Sequence, residues 1–184
     1  MTASQVILWT CGYLLALVAV IYFTRATPRR VLGSIGGGAA AGLLGIAAIA
    51  MCEALGWWWI PFDSTPYFLA LFYLGLSISL TPIYLVTWRL ARRFGWRGLA
   101  VFTSIVTLIG PPRDYLYATV FPKWMVFAPG VGPVLADGAT YAAVVILGHA
   151  VMRLISGPSG GDRLARQANA ASAANATSAR VLNH

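Results

Sequence analysis

Apolar stretches close to the length of a membrane-crossing helix dominate the sequence. Three nearly uncharged stretches run from Val6 to Phe23, from Val31 to about Trp57, and from Tyr67 to Trp88. A fourth begins at Gly98, and a fifth ends at Arg153. About 20 mainly apolar residues are needed to cross a hydrocarbon layer of about 30 Å. The pattern therefore predicts an all-α fold, a polytopic transmembrane helix bundle with about five spans.

The fourth stretch is the least regular. The segment from Gly98 to Ile109 is too short to cross, and Pro111 and Pro112 follow it closely. A proline inside a helix removes a backbone hydrogen bond and clashes with the preceding turn. We therefore expect a fourth helix that is broken at Pro111-Pro112 and reaches about Phe121, followed by re-entrant or interfacial backbone from 123 to 133.

Composition supports one bundle and a polar tail. The chain is 59% hydrophobic and only 10% charged, which excludes an ordinary soluble domain. Residues 1–156 are predicted to form the bundle. Residues 157–184 are rich in Ala, Ser, Asn and Gly without apolar periodicity, so we expect a disordered cytoplasmic tail there.

The basic residues indicate an orientation. Ten of them flank the same ends of the apolar stretches: Arg25, Arg29, Arg30, Arg89, Arg92, Arg93, Arg97, Arg153, Arg163 and Arg166. The opposite ends offer only Arg113 and Lys123. Because cytoplasmic flanks retain excess Lys and Arg, the N-terminus is predicted outside and the C-terminus in the cytoplasm. The composition resembles that of small bacterial inner-membrane proteins, and we expect a multi-pass protein of the bacterial cytoplasmic membrane.

The net charge of +8 has the same explanation. Arginines beside membrane spans orient the protein and contact anionic lipid head groups. No basic helix with interleaved aromatic residues is found outside the apolar stretches, so nucleic acid is not an expected partner. Membrane lipids are the expected partners.

The second stretch carries small residues four apart. Gly33 pairs in this spacing with Gly37, and Gly38 pairs with Gly42. Such a stripe lets a neighbouring helix approach closely, so that dispersion contacts replace the hydrophobic drive that lipid does not supply. We assign these four glycines to helix packing, either within the chain or with a second copy or another membrane protein.

Tryptophans cluster where the second stretch ends. Trp57, Trp58 and Trp59 are followed by Pro61 and Phe62. Indole rings favour the membrane–water interface, where the ring body lies in lipid and the N–H reaches water. The run is predicted to anchor the outer interface.

One polar constellation interrupts the apolar pattern. With a helical rise of 1.5 Å per residue, Arg113 and Asp114 lie about 22 to 24 Å from the inner boundary, and Asp137 lies at a similar height. Glu53 and Asp63 fall near the same outer end. Ionised side chains facing lipid are costly, so these groups should face inward and pair. The substrate-binding candidates are Arg113, Asp114, Asp137, Glu53, Tyr115 and Tyr141.

Two interpretations of this constellation remain open. In the first, Arg113 pairs with Asp114, Asp137 or Glu53 and ties the second, fourth and fifth spans together. In the second, Arg113 holds an anionic head group or phosphate in an outward-facing pocket, and a carboxyl works there as acid or base. Asp137 and Tyr141 are four residues apart and so share one helix face.

Other chemistry has little support in the sequence. Cys52, Arg113 and His149 are loosely similar to the constellation of membrane-embedded sortase-type transpeptidases. His149, however, lies only about 6 Å from the inner boundary, whereas the other two lie in the outer half. Neither metal-ligand spacing nor a nucleotide-binding loop occurs, so we expect no metal and no cofactor.

Three functions of different classes follow from these features. The first is a structural or accessory membrane subunit, favoured by the glycine stripe. The second is an outer-leaflet protein or enzyme that binds a lipid or an isoprenoid-like substrate through Arg113 and nearby carboxylates. The third is a subunit of an oligomeric transporter, because five spans without an internal repeat would not make a complete carrier.

Overall fold

The computed structural model describes residues 1–62, 66–157 and residue 170. Four helices account for most of this part of the chain: α1 (Ala3–Thr24), α2 (Pro28–Ala54), α3 (Phe68–Val120) and α4 (Val131–Ser156). Two short strands, β1 (Trp58–Trp59) and β2 (Val126–Phe127), pair antiparallel. The fold is all-helical apart from this small ribbon. The tail predicted from 157 to 184 lies almost entirely outside the described residues.

The helices have the surface of a membrane-embedded protein. All four are long and apolar enough to cross a bilayer. Large aliphatic side chains point outward along them, among them Leu8, Leu15, Leu108 and Leu154, each more than 70% exposed. A water-soluble bundle would bury such residues. The predicted count of five spans is not confirmed, because the structure contains four such helices among the described residues.

The third helix is interrupted at Gly95. At 53 residues, α3 would be about 80 Å long if straight. Gly95 instead adopts φ 67° and ψ −150°, a conformation that is essentially restricted to glycine. The contacts with α4 show a reversal of direction: Tyr84 donates to the Val144 carbonyl, while Thr107 lies against Gly138. The segment after Gly95 therefore folds back beside the segment before it.

The predicted break at Pro111-Pro112 is not confirmed. The helix continues through both prolines to Val120. Pro111 has no N–H to offer the Thr107 carbonyl one turn earlier. That carbonyl oxygen lies 3.4 Å from where a Cβ on Gly138 would be. The small residue on α4 therefore allows close packing against the turn that contains Pro111.

The glycines of α2 are buried against the chain's own helices. A Cβ on Gly33 or Gly37 would collide with α4, at the Met152 carbonyl and at Gly148 respectively. A Cβ on Gly38 or Gly42 would collide with α3, at Ser77 in both cases. The stripe therefore brings α2 into close contact with both neighbours within one chain.

The tryptophan run is partly internal. Trp58 is only 4% exposed and stacks on Phe127 with the ring centroids 5.9 Å apart. The pairing of β1 with β2 turns this side chain into a cluster with Cys52, Phe68 and Phe72. Trp58 therefore packs inside the bundle, and the apolar pattern of the sequence contains no signal that the two short strands would pair.

Replacing Gly38 by Ala should destabilise the bundle. The added methyl group would lie 2.5 Å from the Ser77 carbonyl oxygen, and overpacking of this kind costs about 1 to 3 kcal/mol. The free energy of unfolding of the purified protein in detergent is the measurement.

Gly12→Ala is the matched control, because no atom lies within 4 Å of that added methyl group. Alanine is favoured over glycine inside a helix by about 1 kcal/mol, so this variant should be as stable as the parent or slightly more so. Equal losses in both variants would contradict the close packing of α2 on α3.

Candidate functional site

The second segment of α3 and the first half of α4 meet along a narrow face. Gly110 and Pro111 on α3 oppose Gly138 and Tyr141 on α4. A Cβ on Gly110 would overlap the ring of Tyr141, so glycine is needed at that contact. Asp114 lies one turn further along the same face of α3, which brings its carboxylate to the Tyr141 hydroxyl.

Asp114 is the centre of the polar cluster. One oxygen, Oδ1, accepts hydrogen bonds from Arg113 Nε at 2.9 Å and from Nη2 at 2.7 Å. The other, Oδ2, accepts a hydrogen bond from the Tyr141 hydroxyl at 2.6 Å. Arg113 Nη2 also donates to that hydroxyl oxygen. The three side chains, Arg113, Asp114 and Tyr141, form a closed set of bonds between α3 and α4, which we call the outer triad.

Burial differs sharply within the outer triad. Asp114 is 6% exposed, whereas the Arg113 side chain is 49% exposed. The guanidinium lies beside two aromatic rings, 5.3 Å from the Tyr141 centroid and 5.9 Å from the Tyr117 centroid. Arginine combines a carboxylate bond with a ring face in this way because its guanidinium is planar. The Arg113 side chain as a whole thus remains half exposed at the surface of the bundle.

Asp137 lies close to the outer triad without joining its bonds. It is one turn before Tyr141 on α4, it is 4% exposed, and it interacts electrostatically with Asp114 and Arg113. Its Oδ2 atom has no hydrogen-bond partner among the described residues. Cys52 of α2, which is fully buried, is in electrostatic range of the same carboxyl group.

The other predicted residues lie elsewhere. Glu53 is exposed and contributes no bond to the outer triad. Tyr115 turns away from Arg113, and its hydroxyl donates to the Ala128 carbonyl at 2.9 Å, which fastens α3 to the backbone next to β2. Asp63 lies outside the described residues. The structure therefore brings together Arg113, Asp114 and Tyr141, with Asp137 beside them.

His149 does not share a site with Cys52 and Arg113. His149 Nδ1 is 2.9 Å from the Thr87 hydroxyl oxygen, at the other end of the bundle from the outer triad. Eight residues separate it from Tyr141 along α4, which is about 12 Å. In the part of the chain that the structure describes, no group of three or more His, Cys, Asp or Glu side chains is arranged to hold a metal ion.

Sequence reasoning missed the role of Gly110 and Gly138. Both are isolated glycines in apolar helices, and only the opposing residues in the fold reveal what they permit. Gly110 lies four residues before Asp114, and Gly138 lies three residues before Tyr141. This helical spacing was the signal in the sequence that could have linked the glycines to the polar cluster.

Comparison with known proteins gives no match: no protein-family model, curated protein or solved structure is significantly similar to this chain.

Tyr141→Phe should destabilise the contact between α3 and α4. The change removes the hydroxyl that donates to Asp114 and accepts from Arg113, and hydrogen bonds to charged groups contribute about 1.5 to 3 kcal/mol each. Thermal unfolding in detergent measures the loss.

Tyr117→Phe is the control, because its exposed ring neighbours the same guanidinium and its hydroxyl has no hydrogen bond among the described contacts. A Tyr141 variant as stable as the Tyr117 variant would contradict the bonds of the outer triad.

Proposed function

We propose that this chain is a small structural or accessory subunit of a bacterial cytoplasmic membrane, and that the outer triad holds its helices together. The observation that carries the proposal is that Asp114 already has partners on both of its oxygens, Arg113 and Tyr141. These bonds join α3 to α4 and surround the buried carboxylate with donors, as a structural ion pair requires.

The topology that goes with this proposal has five crossings. Gly95 divides α3 near its middle, and each half is long enough to cross a hydrocarbon layer of about 30 Å. The reversal at Gly95 would leave Arg89, Arg92, Arg93 and Arg97 at one membrane face and Lys123 at the other. By the excess of arginine, the first face is cytoplasmic, the N-terminus is outside and the C-terminus is inside.

A second candidate function rests on the exposed half of Arg113. Its hydrogen bonds use Nε and Nη2, and Nη1 has no acceptor among the described residues. An arginine whose side chain is 49% exposed at this height could bind the phosphate of an outer-leaflet lipid or an isoprenoid-like phosphate. Membrane lipids are the partners in this alternative, and Asp114 and Tyr141 would orient the guanidinium.

Cysteine labelling tests the five-crossing topology. In a Cys11→Ser, Cys52→Ser background, Lys123→Cys should react with a membrane-impermeant maleimide added to intact cells. Arg97→Cys should react only after the cells are opened, because it lies on the cytoplasmic face. Both residues are exposed in the bundle, so reactivity reports the side of the membrane. Labelling of both positions from the same side would contradict a crossing between them.

Arg113→Gln distinguishes the two candidate functions. If the outer triad is structural, the variant leaves the buried Asp114 carboxylate without its cation. The free energy of unfolding should then fall by about 1 to 3 kcal/mol, less than the about 3 to 5 kcal/mol of a fully buried pair because Arg113 is half exposed.

Native mass spectrometry of the gently extracted protein provides the second measurement. Arg97→Gln is the control for the loss of an exposed arginine at the opposite end of the bundle. An Arg113 variant that keeps its stability and loses a co-purified phospholipid or polyprenyl phosphate would overturn the structural proposal and support the lipid site.

A further inference from the structure

The charges near the outer triad do not balance. Two buried carboxyl groups, Asp114 and Asp137, lie near a single guanidinium, that of Arg113. The Arg113 bonds go to Asp114 and Tyr141, and none goes to Asp137. If both carboxyl groups were ionised, the interior would hold one uncompensated negative charge.

The surroundings of Asp137 make that charge unfavourable. Asp137 is only 4% exposed, and its Oδ2 has no hydrogen-bond donor among the described residues. A buried ion without a partner is much more costly than a buried neutral acid. The neighbouring Gly138 packs on Thr107 and Pro111, which excludes a long cationic side chain from that side.

Several helices contribute titratable groups to the surroundings of Asp137. Cys52 faces it from α2, Arg113 and Asp114 face it from α3, and Tyr141 lies one turn along α4. Tyr13 of α1 lies within electrostatic range of Arg113. Arg113 is the one permanently charged cation of this set, and Asp114 holds it.

We propose that Asp137 is a proton-binding site, a carboxylic acid that exchanges its proton with the outer aqueous phase past the outer triad. On release, the O–H bond of the Asp137 carboxyl breaks, the proton passes to water, and a carboxylate remains. That carboxylate then competes with Asp114 for Arg113. In this proposal, protons enter and leave past the half-exposed Arg113 side chain. Proton binding at Asp137 thereby sets how firmly α3 and α4 are tied.

Infrared spectroscopy of protein labelled with ¹³C in the aspartate carboxyl groups tests this site. At neutral pH the wild-type spectrum should contain the C=O band of a protonated acid, and Asp137→Asn should lose it while remaining folded by size-exclusion chromatography. The amide of Asn has the shape of the neutral acid, so the variant should keep the parent's unfolding midpoint. A spectrum in which Asp137→Asn loses only carboxylate bands would overturn the proposal.

Two further arms test the coupling to Arg113 and the exchange. Asp114→Asn frees the guanidinium, so Asp137 should ionise: the acid band should vanish while the carboxylate intensity stays equal to that of the wild type, because Asp137 replaces Asp114 among the ionised groups. Glu53→Gln, an exposed position on α2, should leave the acid band unchanged. The acid band should also shift in D₂O and disappear reversibly at alkaline pH. An acid band that persists in Asp114→Asn would overturn the coupling to Arg113, and one that is insensitive to D₂O and pH would overturn the exchange with the outer phase.

Discussion

The close approach of α2 to two neighbouring helices is the constraint on which the bundle depends. Membrane helices gain little from burying apolar side chains against each other, since lipid tails are equally apolar. Dispersion between backbones has to supply the difference. The glycines of α2 allow this on two faces, one against α4 at Gly148 and one against α3 at Ser77. Gly148 in turn receives the ring of Tyr84, whose hydroxyl bonds to the Val144 carbonyl. A single small-residue surface therefore sets the positions of α3 and α4 together.

The polar cluster is possible because that framework already holds α3 against α4. Gly110 and Gly138 allow the two helices to approach closely, and the Asp114 carboxylate accepts a hydrogen bond from Tyr141 across the contact. A buried carboxylate persists in an apolar interior only when donors surround it. Asp114 meets that condition through Arg113 and Tyr141, whereas Asp137 does not, and this asymmetry between two neighbouring acids is the chemical feature of the molecule.

Hydropathy was sufficient to predict the helices and their apolar surfaces, and depth arithmetic brought Arg113, Asp114 and Asp137 to one height. Hydropathy did not locate the chain reversal. The nine residues from Arg89 to Arg97 lie between two predicted spans, but the structure is helical up to Phe94, and only Gly95 departs from helical geometry. The proline pair misled for a related reason: Pro111 costs a hydrogen bond, yet the freed Thr107 carbonyl lies against a glycine of another helix. Glu53 was predicted at a similar height, but it is exposed on α2 and lies outside the cluster. Height along the helix therefore does not by itself identify the residues that meet.

The reversal at Gly95 also has a mechanical meaning. Only one residue between two long helices departs from helical geometry, so the relative motion of those helices passes through two backbone dihedral angles. Single positions that absorb such rotations act as hinges, and a glycine has the widest range for doing so. The helix after the hinge carries Arg113 and Asp114, and the helix before it carries Tyr84 and Thr87. A change of torsion at Gly95 would therefore move the segment that carries Arg113 and Asp114 as one rigid arm.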